Sequence, residues 1–272
     1  MSDQQFPKFT SKPLLWLRHA LPSIITLGNL AMGFIIIWVV ISEKGQAKYA
    51  ENPSSFLTLM AGLLLLGAFC DVIDGYVARK LKITSALGVE LDSLADLLSF
   101  GMAPVVVFYV CFFGEKPTPL TFLACLGYVM AGTFRLARFN HTARDPKSSS
   151  SFEGLPITGA SLFWAALLLL LARSDAQVFL AEHGIGARKL LVFFFALLGF
   201  LMVSHVPYKS LKGVKFVGMN RKYLLLILLI TAGLSLLIGP LYVFVSIPII
   251  YVLGIPLVAL LRKIFPKKKQ EE

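Results

Sequence analysis

Asp71-Val72-Ile73-Asp74-Gly75-Tyr76-Val77-Ala78-Arg79, followed after eight residues by Gly88-Val89-Glu90-Leu91-Asp92-Ser93-Leu94-Ala95-Asp96, sets four carboxylates at helical spacing inside a very apolar chain. At about 100° per residue, Asp71, Asp74, Gly75, Ala78 and Arg79 share one sector of a helix, and Gly88, Asp92 and Asp96 share one sector of the next. Two acidic helix faces can therefore meet. Four anions crowded into low dielectric repel one another unless cations neutralise them. Ligation by oxygen alone points to Mg²⁺ or Mn²⁺. The alternative, solvated loop acids or interhelical ion pairs, needs about as many basic partners, and Arg79, Lys80 and Lys82 are the nearest in sequence.

Around this stretch the chain has the composition of an integral membrane protein: 272 residues, 57% hydrophobic, 15% charged, with a mean hydropathy of +0.76. Against the ~20 residues needed to cross the hydrocarbon, apolar runs fall near 24–42, 56–78, 95–113, 119–138, 157–172, 189–206, 223–238 and 241–261. The expected fold is an all-α polytopic bundle of about eight spans, the last two joined through Gly239-Pro240 as a hairpin.

A net charge of +11 raises nucleic acid as a partner, but the basic residues lie between alternate apolar runs rather than on one soluble face. That is the positive-inside pattern, and nucleic acid is set aside. Lys8, Lys12 and Arg18, then Arg79, Lys80 and Lys82, then Arg138, Arg144 and Lys147, then Lys209 to Lys222, and finally residues 262–269 are assigned to the cytoplasm, with both termini. The expected location is the cytoplasmic (inner) membrane. Residues 1–13 are polar and no small-residue cleavage site follows the first apolar run, so that run is read as a retained span. Cys70, Cys111 and Cys125 lack metal-type spacing and read as buried thiols.

Five segments follow. Residues 1–22 are basic and amphipathic, suited to the headgroup layer; 23–206 form the membrane core; 207–222 a basic cytoplasmic loop; 223–261 the hairpin; and 262–272 a basic tail attractive to anionic lipid. Residues 141–151, with Asp145-Pro146 and four consecutive serines, are the most loop-like internal stretch. No internal repeat is evident.

The pattern D-x2-D-G-x2-A-R-x8-G-x3-D-x3-D, filled by Asp71, Asp74, Gly75, Ala78, Arg79, Gly88, Asp92 and Asp96, resembles the signature of the CDP-alcohol phosphatidyltransferase family, with every position matched. The resemblance implies a six-helix core, with the hairpin outside it. It implies that Asp71, Asp74, Asp92 and Asp96 surround two Mg²⁺ or Mn²⁺ ions and that Asp96 is the general base. It further implies that Gly75, Ala78, Arg79 and Gly88 lie at the nucleotide and phosphates. The residue types suit phosphoryl transfer, in which a diphosphate and an attacking oxygen are aligned while charge is shielded. On the residues alone, Gly75 and Ala78 also fit helix packing, and Arg79 also fits a topology-setting flank. Pro22, Thr26 and Asn29 resemble the family's amino-terminal pattern, where such residues lie near the nucleotide; Ser23 stands where many relatives carry Asn.

A second cluster, Gly132-Thr133-Phe134-Arg135-Leu136-Ala137-Arg138-Phe139-Asn140 with Phe152-Glu153-Gly154-Leu155-Pro156, resembles the branch of the family that uses L-serine. It implies CDP-diacylglycerol and L-serine as substrates, with Arg135, Arg138, Phe139 and Asn140 at the serine. Arg135 and Arg138 are i,i+3 neighbours, and a guanidinium pair suits a carboxylate or a phosphate; positive-inside flanking explains them as well. The implied reaction transfers the phosphatidyl group to serine, giving phosphatidylserine and CMP. Choline, glycerol phosphate or an inositol compound are the alternative acceptors, and a homodimer is left open. A cation-coupled transporter is the rival class; it predicts half-sequence repeats and helices interrupted near mid-membrane.

Overall fold

Where water is absent, a chain satisfies its backbone within helices, and no strand occurs among the described residues. The computed structural model describes residues 13–81, 86–114, 117–144, 154–206, 208, 235 and 239–264. Helix α1 spans Pro13–Ile41, so part of the expected interfacial segment is continuous with the first span. The Ser42 hydroxyl accepts from Gly45 N at 3.1 Å and caps the short polar helix α2, Glu43–Glu51. Asn52 Oδ1 then accepts from Ser55 N at 2.9 Å, starting α3, Pro53–Leu81. With Arg79 and Lys80 in its last turn, α3 sets cations against its negative dipole end.

The next span is a composite rod: α4, Ala86–Asp96; a π turn, Leu97–Met102; α5, Ala103–Phe108; and a second π turn, Tyr109–Phe113. Pro104 has no N–H to offer the Phe100 carbonyl four residues back, and the Tyr128 hydroxyl donates to that carbonyl at 2.9 Å. Tyr128 belongs to α6, Pro119–Arg144. Beyond it come α7, Ile157–Leu171; α8, Ser174–Glu182; α9, Gly184–Val203; and α10, Pro240–Ile264.

Among the described residues, six helices are long and apolar enough to cross a membrane, and the chain turns by 90° between α7 and α8, which together make a seventh candidate. The run near 223–238 lies outside the described residues apart from Ser235. Its carbonyl accepts from Gly239 N at 3.0 Å, and Gly239 takes φ +92°, a tight connection into α10. Phe152, Glu153, most of 207–222 and the tail from 265 also lie outside the described residues.

Helix α7 is central, packed against α3 on one side and α10 on another. Trp164 is fully buried and stacks on Phe195 of α9 at 4.0 Å between ring centroids, with Phe108 at 4.6 Å and Tyr128 at 6.1 Å. Lipid tails are as apolar as these side chains, so close packing and aromatic geometry hold the helices together. Each such pair contributes about 0.5–1.5 kcal/mol beyond its area. At the crossing of α1 with the first π turn, a Cβ on Gly33 would stand 2.6 Å from Ser99 Cα. Only glycine permits that approach, which brings α1 onto the acidic end of α4.

Candidate functional site

Asp71 and Asp74, one turn apart on α3, are buried to 3% and 4% exposure inside the bundle. Asp92 of α4 is half-buried beside them. One carboxylate oxygen from each of the three lies within 4.8 Å of the others. The two acidic helix faces expected from spacing therefore do meet. Three carboxylates so close form a hard, oxygen-only ligand set suited to Mg²⁺ or Mn²⁺.

Two hydroxyls reach the cluster from other helices. Thr158 of α7 lies 3.2 Å from Asp71 Oδ2, placed to donate to it. Thr26 of α1 lies 2.9 Å from Asp74 Oδ2 and 3.0 Å from the Pro22 carbonyl, its one proton serving either acceptor. A donor to one carboxylate lone pair fixes the side chain while its remaining lone pairs stay available to a cation.

Asp96, 7% exposed, is one turn beyond Asp92 and is not one of the three clustered acids. The Asn29 side-chain amide donates to Asp96 Oδ1 at 3.1 Å. Thr26 and Asn29, expected at the nucleotide, thus hold two of the carboxylates.

The second cluster divides. Arg135 of α6 stands within electrostatic reach of Asp96, Asp71, Arg138 and Tyr251, and its Nε is buried with no hydrogen-bond partner. Arg138 Nη1 lies 3.5 Å from the Val203 carbonyl at the end of α9. Asn140 donates to the Ser93 hydroxyl at 2.9 Å, tying the end of α6 to α4 beside Asp92. Phe139 is 42% exposed. Of the glycine signature, Gly75, Ala78 and Gly88 are half-buried, while Arg79 and Lys80 are exposed at the end of α3, with Lys80 Nζ 5.8 Å above the Tyr76 ring.

Gly154 takes φ +83°, its N–H donates to the Val206 carbonyl at 2.9 Å, and Leu155 N–H donates to Leu201 at 3.0 Å. A Cβ there would stand 2.3 Å from the Met202 carbonyl oxygen. This turn lays the start of α7 across the end of α9 and brings Thr158 to Asp71. Sequence reasoning stopped at Pro156 and missed Thr158. The signal available was a Gly-Leu-Pro turn leading into a helix that carries a hydroxyl in its first turn. Ser93 and Ser99 were missed for a simpler reason: small hydroxyls inside an apolar helix carry no pattern.

A model of the CDP-alcohol phosphatidyltransferase family matches residues 19–255. A Helicobacter pylori (strain ATCC 700392 / 26695) protein named CDP-diacylglycerol–serine O-phosphatidyltransferase is 33% identical over 92% of this chain and 97% of its own length. Its namesake in H. pylori strain J99 is 34% identical over 78% of this chain and 79% of its own. The Bacillus subtilis (strain 168) protein of that name is 30% identical over 71% and 91%.

Proposed function

The chain belongs to the CDP-alcohol phosphatidyltransferase family, and from that membership we propose that it transfers the phosphatidyl group of CDP-diacylglycerol to the hydroxyl of L-serine, releasing CMP. The observation that carries the chemistry is the three-carboxylate cluster of Asp71, Asp74 and Asp92 with Asp96 one turn away. Serine as acceptor is supported by the names of the relatives and by the guanidinium of Arg135 within electrostatic reach of Asp96.

Asp71, Asp74 and Asp92, with Asp96 one turn on, would hold two Mg²⁺ or Mn²⁺ ions, which would supply charge shielding for the diphosphate and for the departing CMP. Asp96 Oδ accepts the proton of the serine hydroxyl as that oxygen attacks the phosphorus on the lipid side. The new P–O ester forms as the P–O bond to CMP breaks, and CMP leaves with the bridging oxygen. Asn29 keeps Asp96 turned toward the hydroxyl. Gly75 and Ala78 leave room for the nucleotide along α3, and Arg79 and Gly88 lie at the phosphates. Arg135 receives the serine carboxylate, to which a guanidinium can donate two parallel hydrogen bonds, and Arg138, Phe139 and Asn140, later on the same helix, are assigned to the border of that pocket.

The site belongs on the cytoplasmic face of the inner membrane, where the basic connections sit, within a core of residues 23–206. The test is direct. Purified protein is given CDP-diacylglycerol, Mn²⁺ or Mg²⁺, and serine, ethanolamine, choline, glycerol phosphate or inositol, and CMP release is measured. Turnover with serine above all others is expected; preference for another alcohol would overturn the acceptor.

A further inference from the structure

The last helix, α10, was expected to lie outside the catalytic core. Yet it packs along α7, the helix that carries Thr158 to Asp71. Arg173 stacks over the Tyr242 ring at 4.9 Å and pins one end of this pairing. Further along, Tyr251 lies directly on Gly159: a Cβ there would stand 3.2 Å from Tyr251 Cε1. Gly159 follows Thr158 in the chain, so the ring is one residue from a group that touches the carboxylate cluster.

Tyr251 is held from its other side. Its ring meets Tyr208 at 5.7 Å between centroids, and the Tyr208 hydroxyl donates to the Val252 carbonyl at 2.8 Å. A side chain fixed this way loses little freedom when it binds. The Tyr251 phenol is also within electrostatic reach of Arg135, whose Nε is buried without a partner. A phenol O–H beside a guanidinium presents several donors to one small volume, a combination suited to a carboxylate.

We propose that Tyr251 is a specificity-determining residue of the acceptor pocket, its hydroxyl joining Arg135 in receiving the acceptor's carboxylate, so that α10 completes the site. This rests on the acceptor reading above.

The test is Tyr251→Phe, which keeps the ring on Gly159 and against Tyr208 and removes only the hydroxyl. The KM for serine should rise about 10-fold, the effect of losing one hydrogen bond to a charged group. The kcat at saturating serine and the KM for CDP-diacylglycerol should move less than about twofold. An unchanged serine KM overturns the proposal, and so does a parallel loss in kcat and both KM values, which marks a packing role. Gly159→Ala, which displaces the ring, should raise the serine KM in the same direction. If the wild-type enzyme prefers another alcohol, the serine reading fails separately; Tyr251→Phe is then measured with that alcohol, and an unaltered KM removes Tyr251 from the pocket.

Discussion

Asn29 and Asp96, 67 residues apart in sequence, are joined by a 3.1 Å hydrogen bond from the Asn29 side-chain amide to Asp96 Oδ1. Asn29 is clamped in turn: its backbone carbonyl accepts from the Ser99 hydroxyl at 2.8 Å, and a Cβ on Gly67 would stand 3.2 Å from its Oδ1. Asp96 is therefore aimed by α1 and not by its own helix alone. Replacing Asn29 with Ala should lower kcat by about 10- to 100-fold, the usual cost of losing a group that orients a catalytic one. The KM for CDP-diacylglycerol should hold, and near-wild-type turnover would remove this role from Asn29.

Asp96→Asn should keep CDP-diacylglycerol binding while transfer falls by about 10²- to 10⁴-fold, the range for loss of a general base. The amide preserves shape and cannot take the proton. A variant within a few-fold of wild type, measured by CMP release, would assign the base elsewhere.

Divalent metal should be required, and its binding should be readable without turnover. Mn²⁺ or Mg²⁺ is expected to raise the thermal stability of the wild-type protein in detergent, by about 2.7 kcal/mol at one hundred times the dissociation constant. Asp71→Asn and Asp92→Asn should lose that rise along with activity. Full activity in excess EDTA would sink the metal assignment.

Thr158→Val removes the donor to Asp71 and keeps the helix, so the Mn²⁺ concentration giving half-maximal activity should rise about 10- to 100-fold. Thr158→Ser should stay close to wild type. Equal metal dependence in all three proteins would show that the 3.2 Å contact has no bearing on the metal.

Gly154→Ala forces a Cβ toward the Met202 carbonyl at a positive φ, and should destabilise the protein by about 1–3 kcal/mol. Gly62 sits in the interior of α3, where an added Cβ meets nothing within 4 Å. Gly62→Ala should instead stabilise by about 0.5–1 kcal/mol. Melting curves in one detergent decide both, and equal shifts would contradict this account of the Gly154 turn.

Asp71, Asp74 and Asp92 were legible as a cluster from the chain alone because helical periodicity fixes which residues share a face, and mutual repulsion demands that carboxylates in an apolar protein find cations. The spans were legible for a like reason: hydrophobic length is a local property that the bilayer converts into a helix. What periodicity cannot do is say which helices touch. That Asn29 meets Asp96, that Thr158 meets Asp71, that Asn140 turns to Ser93 and that Tyr251 comes to lie on Gly159 depend on helix crossings set by Gly33, by the Gly154 turn and by the π turn after Asp96. Each such contact joins residues far apart in the chain, and the small side chains that permit it look the same in sequence whether or not a neighbour arrives. The carboxylates are a property of two short stretches of sequence; the donors that aim them exist only once the bundle is packed.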